Sequence, residues 1–167
     1  MRLIDETQIV AGFVPVDMQT GTNNGDYVSL KNYRQCAIVL FKGIGTAAQD
    51  PVVSFWQASA VAGGDEKVLT KCTGYHMKQG ADLSLVGEFT EVTQSVAATC
   101  TLNATSAESS GIYVFSFSGS DLDVENGFDC LRASVADVGN AAQLGCMLYL
   151  LSEPRHACET MPSAIID

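Results

Sequence analysis

The run Gly25-Asp-Tyr-Val-Ser-Leu-Lys-Asn-Tyr-Arg-Gln-Cys-Ala-Ile-Val-Leu-Phe-Lys42 constrains the fold more than any other part of the chain. Asn24-Gly25 before it is a tight-turn dipeptide, because both residues tolerate positive φ. Tyr27 and Leu30 seat a short amphipathic strand. A break follows, and Cys36–Phe41 seats a second, more apolar strand rich in β-branched and aromatic residues. The local architecture is therefore β.

The same signals recur along the chain. Gln8–Val16 is mostly apolar and strand-like. Val52–Ala62 alternates, with Val53 and Phe55 on one face and Trp56 and Ala58 on the other. Gly63-Gly64-Asp65 marks a turn, and Lys67–Lys78 holds one or two strands. The middle, Gln79–Ser110, alternates weakly at Glu88–Val92 and Ala98–Leu102, which predicts short strands in long loops. In Gly111–Ser118, Tyr113, Phe115 and Phe117 fall on one face at period two. Cys130–Val135 alternates Leu131, Ala133 and Val135 against Arg132 and Ser134. Gln143–Leu151 is apolar on both faces, which predicts a central strand. No stretch predicts a long helix. About eight short strands with turns between them predict an all-β, single-domain β-sandwich or jelly roll. Its core spans about 8–152, with extended terminal arms at Met1–Asp5 and about 153–167.

With 167 residues and 47% hydrophobic content, the chain can bury a core without metals or disulfides. Formal net charge is −10, with nine basic residues scattered along the sequence. Nucleic-acid affinity comes largely from clustered Lys and Arg, so direct binding to nucleic acid is disfavoured, and so is binding to an anionic membrane surface. No segment reaches the roughly 18 apolar residues of a membrane span. Met1–Thr7 lacks the apolar core of a secretion signal, which predicts a protein made in a reducing cytoplasm. Cys36, Cys72, Cys100, Cys130, Cys146 and Cys158 are far apart in sequence and contain no Cys-x-x-Cys. Scattered core thiols are the favoured reading; some pairing, or a metal site, stays open.

The motifs with chemical meaning each meet a simpler explanation. Gly43-Ile-Gly-Thr-Ala-Ala48 matches a dinucleotide-binding fingerprint, with Asp65 where a ribose-binding acid would lie. Pro51 follows too soon for the required helix, so a flexible connection is expected. Asp121-Leu-Asp-Val-Glu-Asn-Gly127 resembles a calcium loop, but Asn126 and Arg132 stand where the glycine and bidentate glutamate are needed. A capped turn opened by Ser120 or Asp121 and closed by Gly127 is expected instead. His76 and His156 have no nucleophile motif nearby, and a Cys158–His156 pair would sit in a tail. Trp56 and the five tyrosines could form a stacking platform, although such residues more often fill cores. Arg155, after the last strand, is a solvated charge or an anchor for a partner surface.

Gly25–Tyr33 and the apolar strand after it resemble a motif in head decoration (cement) proteins of tailed bacteriophages and prophages. Three further segments carry the resemblance: Leu122-Asp-Val-Glu-Asn-Gly-Phe-Asp-Cys-Leu-Arg132, the apolar last strand leading into Pro154-Arg155, and the ending near Ala164-Ile-Ile-Asp167. The resemblance implies a non-enzymatic virion protein without a cofactor. It would bind the major capsid protein on the capsid exterior, stabilise the shell and assemble as a homotrimer. A carbohydrate- or host-surface-binding β-sandwich is the alternative.

Overall fold

A computed structural model of the chain describes residues 3–156 and 160–166. One helical turn, Leu3–Glu6, leads into twelve strands: β1 (Thr7–Asp17), β2 (Asn23–Asn24), β3 (Val28–Ser29), β4 (Tyr33–Lys42), β5 (Val52–Ala58), β6 (Lys67–Val68), β7 (Cys72–Gly80), β8 (Thr90–Ala97), β9 (Thr99–Thr101), β10 (Ser110–Ser118), β11 (Cys130–Val135) and β12 (Leu144–Pro154). All pairings are antiparallel. The larger sheet runs β1-β12-β4-β10-β7-β8. The smaller has β11 and β5 at its centre. The short β2 and β3 share the free edge of β11, and β6 and β9 share that of β5. The result is the expected all-β sandwich in a single domain.

Alternation explains the core. Cys36, Ile38 and Leu40 of β4, Tyr113, Phe115 and Phe117 of β10, and Met147, Tyr149 and Leu151 of β12 point inward and are buried. Val53 and Phe55 of β5 and Leu131, Ala133 and Val135 of β11 meet them from the smaller sheet. Phe55 stands against Phe115 and Phe117, with ring centroids 5.1 and 4.8 Å away. Tyr75 extends the group toward Phe115 (5.5 Å) and Tyr113 (6.0 Å). These tilted contacts lie in the range where aromatic pairs attract beyond their buried area.

The expected turn at Asn24-Gly25 is corrected. Neither residue has positive φ. Asn24 is strand, paired with Ser134, and the Gly25 amide donates to the Ala133 carbonyl (2.9 Å). Glycine is required there by a close approach. A Cβ at Gly25 would lie 2.4 Å from the Tyr149 hydroxyl and 2.7 Å from the Ala133 carbonyl. That hydroxyl accepts the Ala133 amide (3.0 Å), so Tyr149 of the larger sheet plugs a gap in the smaller one. One other boundary shifts: β5 stops at Ala58, whereas Lys67–Lys78 holds two strands, as the sequence allowed, divided by Leu69–Lys71. The turn at Gly63-Gly64-Asp65 forms as expected, with positive φ at Gly63 and Asp65.

The C-terminal arm expected over 153–167 does not project in its described part. Pro154 ends β12, Tyr33 donates its hydroxyl proton to the Pro162 carbonyl, and the Ser29 amide donates to Ala164 (2.7 Å). Ala164 is buried in the main core. At the N-terminus, Leu3–Glu6 forms a helical turn against β1. Residues 1–2, 157–159 and 167, and with them Cys158 and the outer parts of both expected arms, lie outside the described residues.

Substituting Gly25→Ala is expected to lower unfolding free energy by about 2 kcal/mol, the scale of overpacking. Gly87→Ala, where nothing lies within 4 Å, is expected to change stability little. Urea unfolding of the two variants checks this. Equal, small effects would contradict the close-approach reading.

Candidate functional site

The larger sheet has one face in the core and one in solvent, and the solvent face is apolar over four strands. Strand pairing sets it out as three rows. Ile112, Phe41 and Cys146 form the first. Val114, Val39, Leu148 and Ala11 form the second. Ser116, Ala37, Leu150 and Ile9 form the third. Phe41 is 50% exposed, Leu148 39% and Ile9 42%; Leu144 and Val14 extend the patch at one end. A shallow hollow of 260 Å³, lined by Pro15, Phe41, Gly43, Leu144 and Cys146, lies at the same end. The chain has 19 acidic and nine basic residues, and none stands in these rows. The rows stop at β7, where His76 pairs with Val114 and Lys78 with Ile112.

Such positions on strands about 4.8 Å apart cover on the order of 300 Å². The largest apolar patch on a typical monomer is of that size and is often functional. The prediction that Gln143–Leu151 is central holds. β12 lies between β1 and β4, but its second apolar face, Leu144, Cys146, Leu148 and Leu150, is on the outside of the sandwich. Part of the signal was in the sequence. Phe41 and Val39 share the outward parity of a strand whose other parity already fills the core.

Beneath the hollow, Lys42 points inward and is 1% exposed. Its ammonium donates to the carbonyls of Ser106 and Ser109 (2.7 Å for Ser109). Burial lowers its pKa to about 8, while Asp50 and Glu108 pull the other way. Asp50 accepts from the Ser106 hydroxyl (2.6 Å) and the Ala107 amide (3.1 Å). Together these contacts pin the loop before β10 under the edge of the apolar face.

The residues singled out in the sequence are scattered. Arg155 is exposed at the end of β12 and lines a hollow of 230 Å³ with Leu30, Lys31, Leu122, Val124 and Asp129. This places it away from the apolar rows. Trp56 is half-buried on the outer face of the smaller sheet, with the Arg132 guanidinium 5.6 Å from its ring. Arg132 also lies 4.8 Å from the Tyr27 ring and pairs with Glu66 (3.2 Å). All five tyrosines are buried, so they form no stacking platform. A polar groove of 490 Å³ runs past Gln57, Lys67, Lys71, Ser120, Asp121 and Asp123. Its carboxylates are engaged: Asp123 pairs with Lys67, and Asp121 accepts the Ser118 amide (2.7 Å). The single capped turn expected here is two: Ser118 caps the first, Gly119–Asp121, and Gly127 closes the second, Val124–Asn126, in the left-handed conformation.

Gly43 and Gly45 donate their amides to Leu144 (2.8 Å) and Ala107 (2.7 Å). Turned inward this way, they cannot cradle a phosphate, and no helix follows them before β5. His76 sits on the outer sheet face beside Glu91, and His156 is exposed beyond β12. Among the described residues no group of His, Cys, Asp and Glu could hold a metal ion. Among them, too, no helix is long and apolar enough to cross a membrane.

No protein-family model matches the chain, and no curated protein matches it. Among the solved structures that align with it are two of the infectious bursal disease virus. One, of the infectious bursal disease virus Gx strain, is 8% identical over 89% of this chain and 42% of that one, with a TM-score of 0.22. The other, the infectious bursal disease virus VP2 subviral particle, is 10% identical over 90% of this chain and 40% of that one, with a TM-score of 0.20. The chain spans less than half the length of either. At such TM-scores the overlaps say nothing about function.

Lys42 supplies a pH test. Its folded pKa, about 8, is below the ordinary lysine value near 10.4. Between these values the unfolded chain binds more protons than the folded one, so this group adds stability as pH rises. From pH 8 to pH 10, wild type is expected to gain about 1–2 kcal/mol relative to Lys42→Met. Urea unfolding of both proteins at the two pH values reads the difference. A pH-independent difference would contradict the burial cost.

Proposed function

We propose that this chain is a structural virion protein that docks on the outside of a bacteriophage capsid and stabilises the shell. The observation that carries the reading is the uncharged, apolar outer face of β1, β12, β4 and β10. The resemblance of Gly25–Lys42 and Leu122–Arg132 to phage head decoration proteins supplies the partner, the major capsid protein. The role is binding without catalysis or cofactor.

The size of the face fits that role. About 300 Å² is well below the roughly 800 Å² per partner of a stable pairwise interface. One copy would hold weakly. A homotrimer gathers three such faces around one axis, and a lattice presents many sites, so avidity supplies what one contact lacks. Binding only the assembled shell then stabilises it by mass action. The acidic surface elsewhere keeps the protein off packaged nucleic acid. The alternative, a carbohydrate- or host-surface-binding module, would use the polar groove beside Lys67 and Asp123.

Co-sedimentation with assembled, undecorated heads tests the reading. Wild type is expected to pellet with heads. Phe41→Asp and Leu148→Asp each place a charge in a desolvated contact and are expected to weaken binding at least tenfold. Their melting temperatures should stay near wild type, because both side chains are solvent-facing. Undiminished binding by both variants, or binding to a glycan array with no affinity for heads, would overturn the proposal.

A further inference from the structure

Cys72 and Cys100 belong to different sheets and meet in the core. Cys72 opens β7 of the larger sheet, and Cys100 is the middle residue of β9 in the smaller one. Both are buried, and β7 packs against β9. Cys72 Sγ lies 3.6 Å from the Gly74 carbonyl and Cys100 Sγ 3.8 Å from that of Thr101, and the two thiols are close enough to perturb each other's ionisation. The backbones converge at the same point. β8 bulges between its pairings to Gly74 and Cys72. From that bulge the Gln94 side-chain amide donates to the carbonyls of both Cys72 (3.4 Å) and Thr99 (2.9 Å). One nitrogen thus bridges the first cysteine and the residue before the second, which holds the two segments side by side. Gly74 is needed for this bulge: its φ is +148°, and a Cβ there would lie 2.1 Å from the Val92 carbonyl.

We propose that Cys72 and Cys100 form a reversible inter-sheet disulfide when the protein meets a peroxide. The Cys72 thiolate attacks one peroxide oxygen, the O–O bond breaks, and a sulfenic acid and hydroxide result. The Cys100 sulfur then attacks the Cys72 sulfur. The S–S bond forms, the S–O bond breaks, and the leaving hydroxide departs as water with the Cys100 proton. Two thiols lose two electrons, and one hydrogen peroxide becomes two waters. The order follows from the environment. The Cys100 thiol beside it holds the Cys72 pKa below the ordinary thiol value, while the same contact and burial push Cys100 up. The thiolate is the nucleophile. In a reducing cell the pair stays open, and in an oxidising medium it closes. Its use as a lock on released virions rests on the function proposed above; the bond itself does not.

The test needs no capsid. Purified protein is treated with hydrogen peroxide, its free thiols are alkylated, and it is mapped by mass spectrometry without reductant. The expected product joins the Cys72 and Cys100 peptides, has lost two hydrogens, reverts with dithiothreitol and melts roughly ten degrees higher. In Cys100→Ser, dimedone is expected to trap a sulfenic acid on Cys72. Recovery of both cysteines as free thiols, oxidation of Cys72 beyond sulfenic acid without a cross-link, or a bond to any other cysteine would overturn the proposal. Wild type alone gives or fails to give the linkage, so misfolding of the variant does not remove the test.

Discussion

The contact of Phe55 with Phe115 and Phe117 is the constraint on which the rest depends. It joins β5, the central strand of the smaller sheet, to β10 in the larger one. Once these rings face each other, the parity of every strand in the larger sheet is fixed, because successive side chains alternate. Tyr113, Ile38, Leu40, Met147 and Tyr149 are committed inward. Phe41, Val39, Leu148 and Ile112 are then committed outward. The exposed face follows from the core's register; a one-residue slip would exchange the two sets.

Polar ties reinforce that register. Tyr149 crosses from the larger sheet to cap the Ala133 amide. Its burial raises the pKa of its phenol and keeps it neutral. At the far end, buried Lys42 holds the Ser106–Ser109 loop. Removing either partner would strand a buried polar group, which costs about 1–3 kcal/mol. These contacts tie the strands beneath the apolar rows to the smaller sheet and to the loop before β10.

Much of this was legible in the sequence. Cys130–Val135 is a strand with the expected bounds, and period two at Tyr113, Phe115 and Phe117 identified the inward face of β10. Local alternation sufficed because each strand is half-buried. What failed depended on distant partners. Gly25 suggested a turn, whereas its glycine is required by Tyr149. β12 is interior to its sheet as expected, but a sequence does not distinguish an apolar face covered within the chain from one left exposed. The return of Met161–Ala164 onto the core and the meeting of Cys72 with Cys100 are likewise products of tertiary packing. The candidate site was the least legible part. Arg155 was chosen for its residue type, while the apolar rows arise only when four strands are set side by side.

The outer face of β1, β12, β4 and β10, proposed as the docking surface for a capsid shell, is the centre of this reading. Electron cryomicroscopy of decorated heads tests it most directly. Density is expected for the sandwich with Phe41, Leu148 and Ile9 turned toward the shell and the smaller sheet turned to solvent. Density in which those residues face solvent, or heads that carry no copies of the chain, would contradict it.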